Sequence, residues 1–83
     1  MKGIENMTKT VKYEYRYYYD SFGTGNYTED ESKRVSRDIT EETAQSYITF
    51  WNALGCTYYE TSKAHFYEKQ TDARHYIQYI LYK

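Results

Sequence analysis

From Val11 to Asp20 the chain alternates with period two, Val11, Tyr13, Tyr15, Tyr17 and Tyr19 interleaving with Lys12, Glu14, Arg16, Tyr18 and Asp20. Successive side chains of an extended chain point to opposite faces, so each of these sets shares one side of a strand. The pattern predicts a first strand from about Thr8 to Tyr19. It ends in Asp20-Ser21-Phe22-Gly23-Thr24-Gly25-Asn26, whose glycines and asparagine tolerate positive φ and favour a turn. A weaker alternation follows from Ser32 to Ile39, where Arg34, Ser36 and Asp38 oppose Lys33, Val35, Arg37 and Ile39. It predicts a second strand at a sheet edge, where charge discourages unwanted pairing.

The period then lengthens to that of a helix. Thr40 is a capping residue, Glu41 and Glu42 suit the positive end of a helix, and Gly55 stands where a helix-ending glycine belongs. Between them Ala44, Tyr47, Ile48, Trp51 and Leu54 recur at helical spacing, with Phe50 widening the stripe. After Gly55 strand patterns return. Cys56–Glu60 and Ala64–Gln70, separated by Thr61-Ser62-Lys63, read as two short strands or one long strand with a bend. Thr71-Asp72 supplies a turn. A last strand, Arg74–Tyr82, sets His75, Ile77, Tyr79 and Leu81 against Arg74, Tyr76, Gln78, Ile80 and Tyr82.

The order predicts an α+β, ββαββ fold: an antiparallel sheet of three to four strands with one amphipathic helix on one face. Residues 1–83 form a single domain, of which 1–7 is expected to be a flexible tail, Met1 and Met7 both being possible starts. With the more apolar row of each strand turned to the helix, the opposite face is left open. It would carry Lys12, Glu14, Arg16 and Tyr18 from the first strand and Arg74, Tyr76, Gln78, Ile80 and Tyr82 from the last.

Composition sharpens this picture. The 83 residues include thirteen tyrosines but only two leucines and two valines. Aromatic rings must therefore fill the core, with many hydroxyls at its margin in contact with water. The net charge of −1 argues against a binder that neutralises a row of phosphates. From Glu29 to Glu42, however, six acids meet three bases. That acidic segment, beginning at Glu29, Asp30 and Glu31, serves the helix start or a basic partner. A lone cysteine, Cys56, allows no internal disulfide and points to a reducing, cytoplasmic setting. No apolar run resembles a signal peptide or a membrane span.

Candidate chemistries are few. His65, His75 and Cys56 are too few for a zinc site and lack paired spacing, so no metal and no cofactor is expected. His65 and His75 would face each other across the Thr71-Asp72 turn as a packed or hydrogen-bonded pair. Cys56, after a helix-ending glycine and before an aromatic strand, reads as a small core residue and not as an activated nucleophile. Gly23-Thr24-Gly25 precedes no helix and no lysine, so it is a turn and not a phosphate loop. Glu29-Asp30-Glu31 lacks the burial that tunes a catalytic carboxylate.

What remains is the open sheet face. Tyrosine and arginine concentrate at the energetic centres of protein interfaces, which makes Arg16, Tyr18, Arg74, Tyr76 and Tyr82 the expected partner-binding residues, with Glu29, Asp30 and Glu31 adding charge complementarity. The same face could stack single-stranded nucleic acid, or its tyrosines could serve only as strand formers. An exposed strand edge could also pair two copies of the chain.

The stretch Ile39-Thr40-Glu41-Glu42-Thr43-Ala44 through Phe50-Trp51-Asn52-Ala53-Leu54-Gly55-Cys56, framed by tyrosine-rich hairpins, resembles small orphan proteins of phages and mobile elements, a group that includes many anti-CRISPR proteins. The resemblance lies in size, the absence of catalytic motifs and the helix-on-sheet layout. It implies a non-enzymatic inhibitor that occupies a surface of a host defence complex, itself a nucleoprotein assembly. The modest net charge departs from the strongly acidic DNA mimics of that group.

Overall fold

The computed structural model describes residues 9–83; the expected tail, residues 1–7, lies outside them. The elements are β1 (Thr10–Tyr19), β2 (Thr28–Glu29), a 3-10 turn (Glu31–Lys33), β3 (Val35–Thr40), α1 (Glu41–Ala53), β4 (Thr57–Glu60), β5 (Ala64–Asp72) and β6 (His75–Tyr82). The α+β class with one helix and an antiparallel sheet is as expected. The strand count is not: six strands form the sheet, in the order β2-β1-β6-β5-β4 with β3 also on β1.

Two differences account for the larger sheet, and a third moves a strand boundary. Residues 56–70 make two strands, because a tight turn at Thr61 folds β5 back onto β4. Thr28 and Glu29 add a two-residue strand that pairs with Tyr19 and Tyr18. The predicted Ser32–Ile39 strand begins only at Val35, since Ser32 and Lys33 lie in the 3-10 turn that Asp30 caps through its carboxylate. β2 and β3 thus lie along one side of β1 as an edge strand interrupted by that turn.

The helix is built as its sequence signals predict. The Thr40 hydroxyl accepts from the Thr43 main-chain N–H at 3.1 Å. At the other end Gly55, with φ of +85°, donates to the Asn52 carbonyl while Cys56 donates to that of Trp51. This paired closure needs a residue in the left-handed region. Ala44 and Trp51 are buried, and Tyr47, Ile48 and Leu54 pack against the core they form with Tyr13, Ile39, Tyr67 and Leu81. Phe50 does not widen the stripe: it is 58% exposed. It precedes Trp51 by about 100° of helical rotation, enough to turn it away from the sheet.

Aromatic rings fill this core, as the shortage of aliphatics requires. Trp51 stacks on Tyr79 with centroids 4.7 Å apart and on Tyr13 at 6.0 Å, and meets Tyr47 and Tyr67 at tilted angles. Thirteen helical residues span about 20 Å, whereas the ten of β1 extend about 33 Å. The helix therefore covers only one end of its face. Tyr13 is buried and Tyr15 packs against the core, while Tyr17 and Tyr19 run past the cluster and stay half-buried.

Burial has a titration consequence. Desolvation, followed by the neighbouring Tyr79 and Tyr47, pushes Tyr13 up to about 12. Tyr76 rises to about 12 for the same leading reason, with Tyr18 next. A raised folded value means that the neutral phenol favours the native state. Its contribution is complete below the ordinary value near 10 and is lost as pH climbs through the folded value. We expect absorbance at 295 nm to show a group of late-ionising tyrosines whose titration coincides with loss of circular dichroism. A smooth, non-cooperative titration of all thirteen tyrosines around pH ~10 would contradict this packing.

Candidate functional site

The face away from the helix is organised in rows that run across the strands. One row is Tyr59, Phe66, Ile80, Glu14 and Ser36; the next is Thr57, Glu68, Gln78 and Arg16; a third is Gln70, Tyr76, Tyr18 and Glu29. The sequence predicted six of these residues on this face: Glu14, Arg16, Tyr18, Tyr76, Gln78 and Ile80. It predicted wrongly that all of them are open: Ile80 is 0% exposed, and Glu14 and Gln78 are each 6% exposed. The helix lies on the other side, so their cover comes from neighbouring long side chains.

Two hydrogen-bonded clusters supply that cover. In the first, Glu14 is held by the Arg16 guanidinium and accepts from the Tyr82 hydroxyl at 3.2 Å, while Tyr82 accepts from Arg16 at 3.4 Å. Arg34 lies 3.8 Å from the same carboxylate and forms a two-pronged pair with Glu29. In the second, Tyr18 donates to the Gln78 amide oxygen, and the amide nitrogen donates to Glu68 and to Tyr59. Tyr59 in turn donates to Glu68 at 2.9 Å. Among the described residues no buried side-chain nitrogen or oxygen lacks a partner. A polar layer of this kind is stable because each desolvated group is satisfied.

At one end of the face the pattern changes from polar to aromatic. Tyr18 and Tyr76 stack face to face with centroids 4.5 Å apart, and Tyr27 meets Tyr76 edge-on at 4.8 Å. Gln70 donates to the Tyr27 hydroxyl at 2.8 Å, which ties the loop before β2 to β5. Tyr18, Tyr27 and Tyr76 are all half-buried, so each keeps part of its ring in water. This platform lies between Glu29 on one flank and Gln70 on the other.

Of the residues singled out from the sequence, Arg16, Tyr18, Tyr76, Tyr82 and Glu29 share this face. Arg74 does not. It lies in the β5–β6 turn, one residue before β6, and its Nε donates to the Asp20 carbonyl at 2.9 Å. With Asp30, Tyr17 and Tyr19 it borders a shallow hollow of about 380 Å³ on the helix side of the sheet. The acidic segment is largely spent on local structure, since Glu29 binds Arg34 and Asp30 caps the 3-10 turn; Glu31 alone of the three is exposed. Sequence reading missed Glu68 and Tyr59 and the contact of Tyr27 with Tyr76, because these roles depend on partners in other strands. Alternation within β4 and β5 is the one signal that could have placed Tyr59 and Glu68 on this side.

Other candidates settle into structural places. The turn between β5 and β6 is at Ala73 and Arg74, with β5 running on through Asp72, so His75 pairs with Asp72 and His65 with Leu81. The two histidines are not cross-strand neighbours. Cys56 is half-buried, and burial pushes its thiol up despite the nearby Lys69, the reverse of an activated nucleophile. Asp20 is 4% exposed and accepts from the main-chain N–H groups of Gly25 and Thr24. Those bonds, Gly25 first, hold its carboxyl below the usual range, and they make the glycine loop a turn folded around one carboxylate. Among the described residues no group of three or more His, Cys, Asp or Glu is placed to hold a metal, and no helix is long and apolar enough to cross a membrane.

Compared with known protein families, curated proteins and solved structures, the chain matches none.

Proposed function

We propose that the chain is a non-enzymatic protein-binding module that acts by occupying a partner's surface. The mode of action is the one implied by its resemblance to small phage and mobile-element inhibitors of host defence complexes. The observation that carries the reading is the Tyr18–Tyr76–Tyr27 platform: three half-exposed rings, Tyr18 stacked on Tyr76 and Tyr27 set edge-on against it, on a face that no helix covers. Rings held in place by stacking lose little freedom on docking, and large rigid amphipathic area is what interface centres use. Glu29 and Arg16 border it and would set the charge pattern of the contact.

Single-stranded nucleic acid is the weaker occupant. Stacking bases would find the rings, but phosphates would find little free positive charge. Arg16 is bound to Glu14 and Arg34 to Glu29, and Glu68 lies in the same face. The test is capture from the native host by the immobilised chain and by a Tyr18→Ala, Tyr76→Ala variant with native circular dichroism. A partner retained by the natural chain and lost by the variant is the expected result. The same proteins on both would sink the assignment, and tight oligonucleotide binding that collapses with salt would replace it with the nucleic-acid reading.

A further inference from the structure

The two edges of the sheet differ in how they meet solvent. The β3 edge is interrupted by the 3-10 turn and carries exposed Arg37 and Asp38, which are the usual defences against pairing. The β4 edge is uninterrupted, and Glu60 is its one charged residue. Its register with β5 is unbroken from Thr57 to Glu60, it contains no lysine and no proline, and all four residues are exposed. Tyr58 and Tyr59 are 45% and 41% exposed.

We infer that β4 pairs antiparallel with β4 of a second copy, joining two sheets into one. Thr61 N–H donates inward to the Ala64 carbonyl at 2.9 Å. Main-chain groups alternate along an antiparallel ladder, so Tyr59 and Thr57 also face β5, and Tyr58 and Glu60 present their N–H and C=O groups outward. Opposed residues must share a face of the sheet. A two-fold centred on Tyr59 meets both conditions: Tyr58 of each copy lies opposite Glu60 of the other, and the two Tyr59 residues meet on the face away from the helix.

The register is self-complementary in charge. No acid opposes an acid, and each Glu60, which within its own chain accepts from Tyr58 at 2.9 Å and lies 3.4 Å from both Lys83 and His65, meets a further tyrosine hydroxyl. A foreign strand is not needed to satisfy any group of β4. The pairing extends the Tyr59–Phe66 stack, whose centroids lie 4.8 Å apart, across the two-fold, and gives an assembly with two Tyr18–Tyr76 platforms on one continuous face. The dimer requires no other partner, so its failure would leave the proposed function standing, and the reverse holds too.

Sedimentation velocity on the full chain, from about 10 μM to on the order of 1 mM, tests it, since a short strand pair fits a dissociation constant in that range. The expected result is a species of twice the 10.1 kDa chain mass that grows with concentration. Glu60→Pro removes an outward N–H and no bond to β5, and Tyr59→Lys sets two like charges face to face. Each should weaken the dimer at least tenfold while circular dichroism stays native. Should Glu60→Pro fail to fold, Tyr59→Lys decides alone. A 10.1 kDa species at every concentration, or a dimer that the folded variants leave unchanged, would overturn the inference.

Discussion

Replacing Trp51 by alanine should unfold most of the population under mild denaturant. The indole is 3% exposed and is the one ring that touches Tyr13, Tyr47, Tyr67 and Tyr79 together. Truncating a buried tryptophan costs about 3 to 5 kcal/mol, through lost transfer energy and the cavity left behind. A domain of this size has a total stability of roughly 4 to 12 kcal/mol, so the loss is a large share of it. Urea denaturation followed by far-ultraviolet circular dichroism is the measurement, with Phe50→Ala as the control. Phe50 is 58% exposed on the same helix and should shift stability by no more than about 0.5 kcal/mol. Equal effects from the two substitutions would mean that the helix is docked on a different stripe.

That contrast also marks how far the sequence carried. Trp51 and its companions at helical spacing, bracketed by Thr40 and Gly55, specified the helix because capping and periodicity are local and reinforce one another. The β1 alternation specified both faces of its strand for the same reason. Phe50 was misplaced because a 3.6-residue period leaves a hydrophobic flank position undecided; only the breadth of the contact settles it. β2 was missed because two residues have no period at all. It exists because Asp30 N–H reaches the Tyr17 carbonyl and Arg34 reaches back to Glu29.

The candidate site divides in the same way. Strand parity put Tyr18 and Tyr76 on one face, and the register then set them opposite each other. Arg74 was misjudged because one residue of turn suffices to swing a side chain out of the strand's alternation. The burial of Glu14 was hidden for a different reason. Its hydroxyl partner, Tyr82, lies 68 residues away in sequence, and a carboxylate looks like a surface residue until that partner is known. Tyrosine makes this second layer possible, since one side chain can shield a neighbour with its ring and satisfy a buried acid with its hydroxyl.

Ile80 is where that layer can be measured. It is fully buried on a face without a helix, flanked by Phe66 and Glu14 in the ladder. If the cover of side chains is as tight as the structure shows, Ile80→Ala should cost about 2 to 5 kcal/mol, the range of interior sites. If the face were open to water, the same change would cost less than about 1 kcal/mol. Chemical denaturation of Ile80→Ala beside Phe22→Ala, a loop-tip side chain 86% exposed, separates the two cases, with Phe22→Ala expected to be neutral. The Tyr18–Tyr76 platform lies two rows away on the same strands. A destabilised but folded Ile80→Ala should therefore keep the proposed partner contact, whereas loss of binding in step with loss of stability would show that the polar layer holds the platform in place.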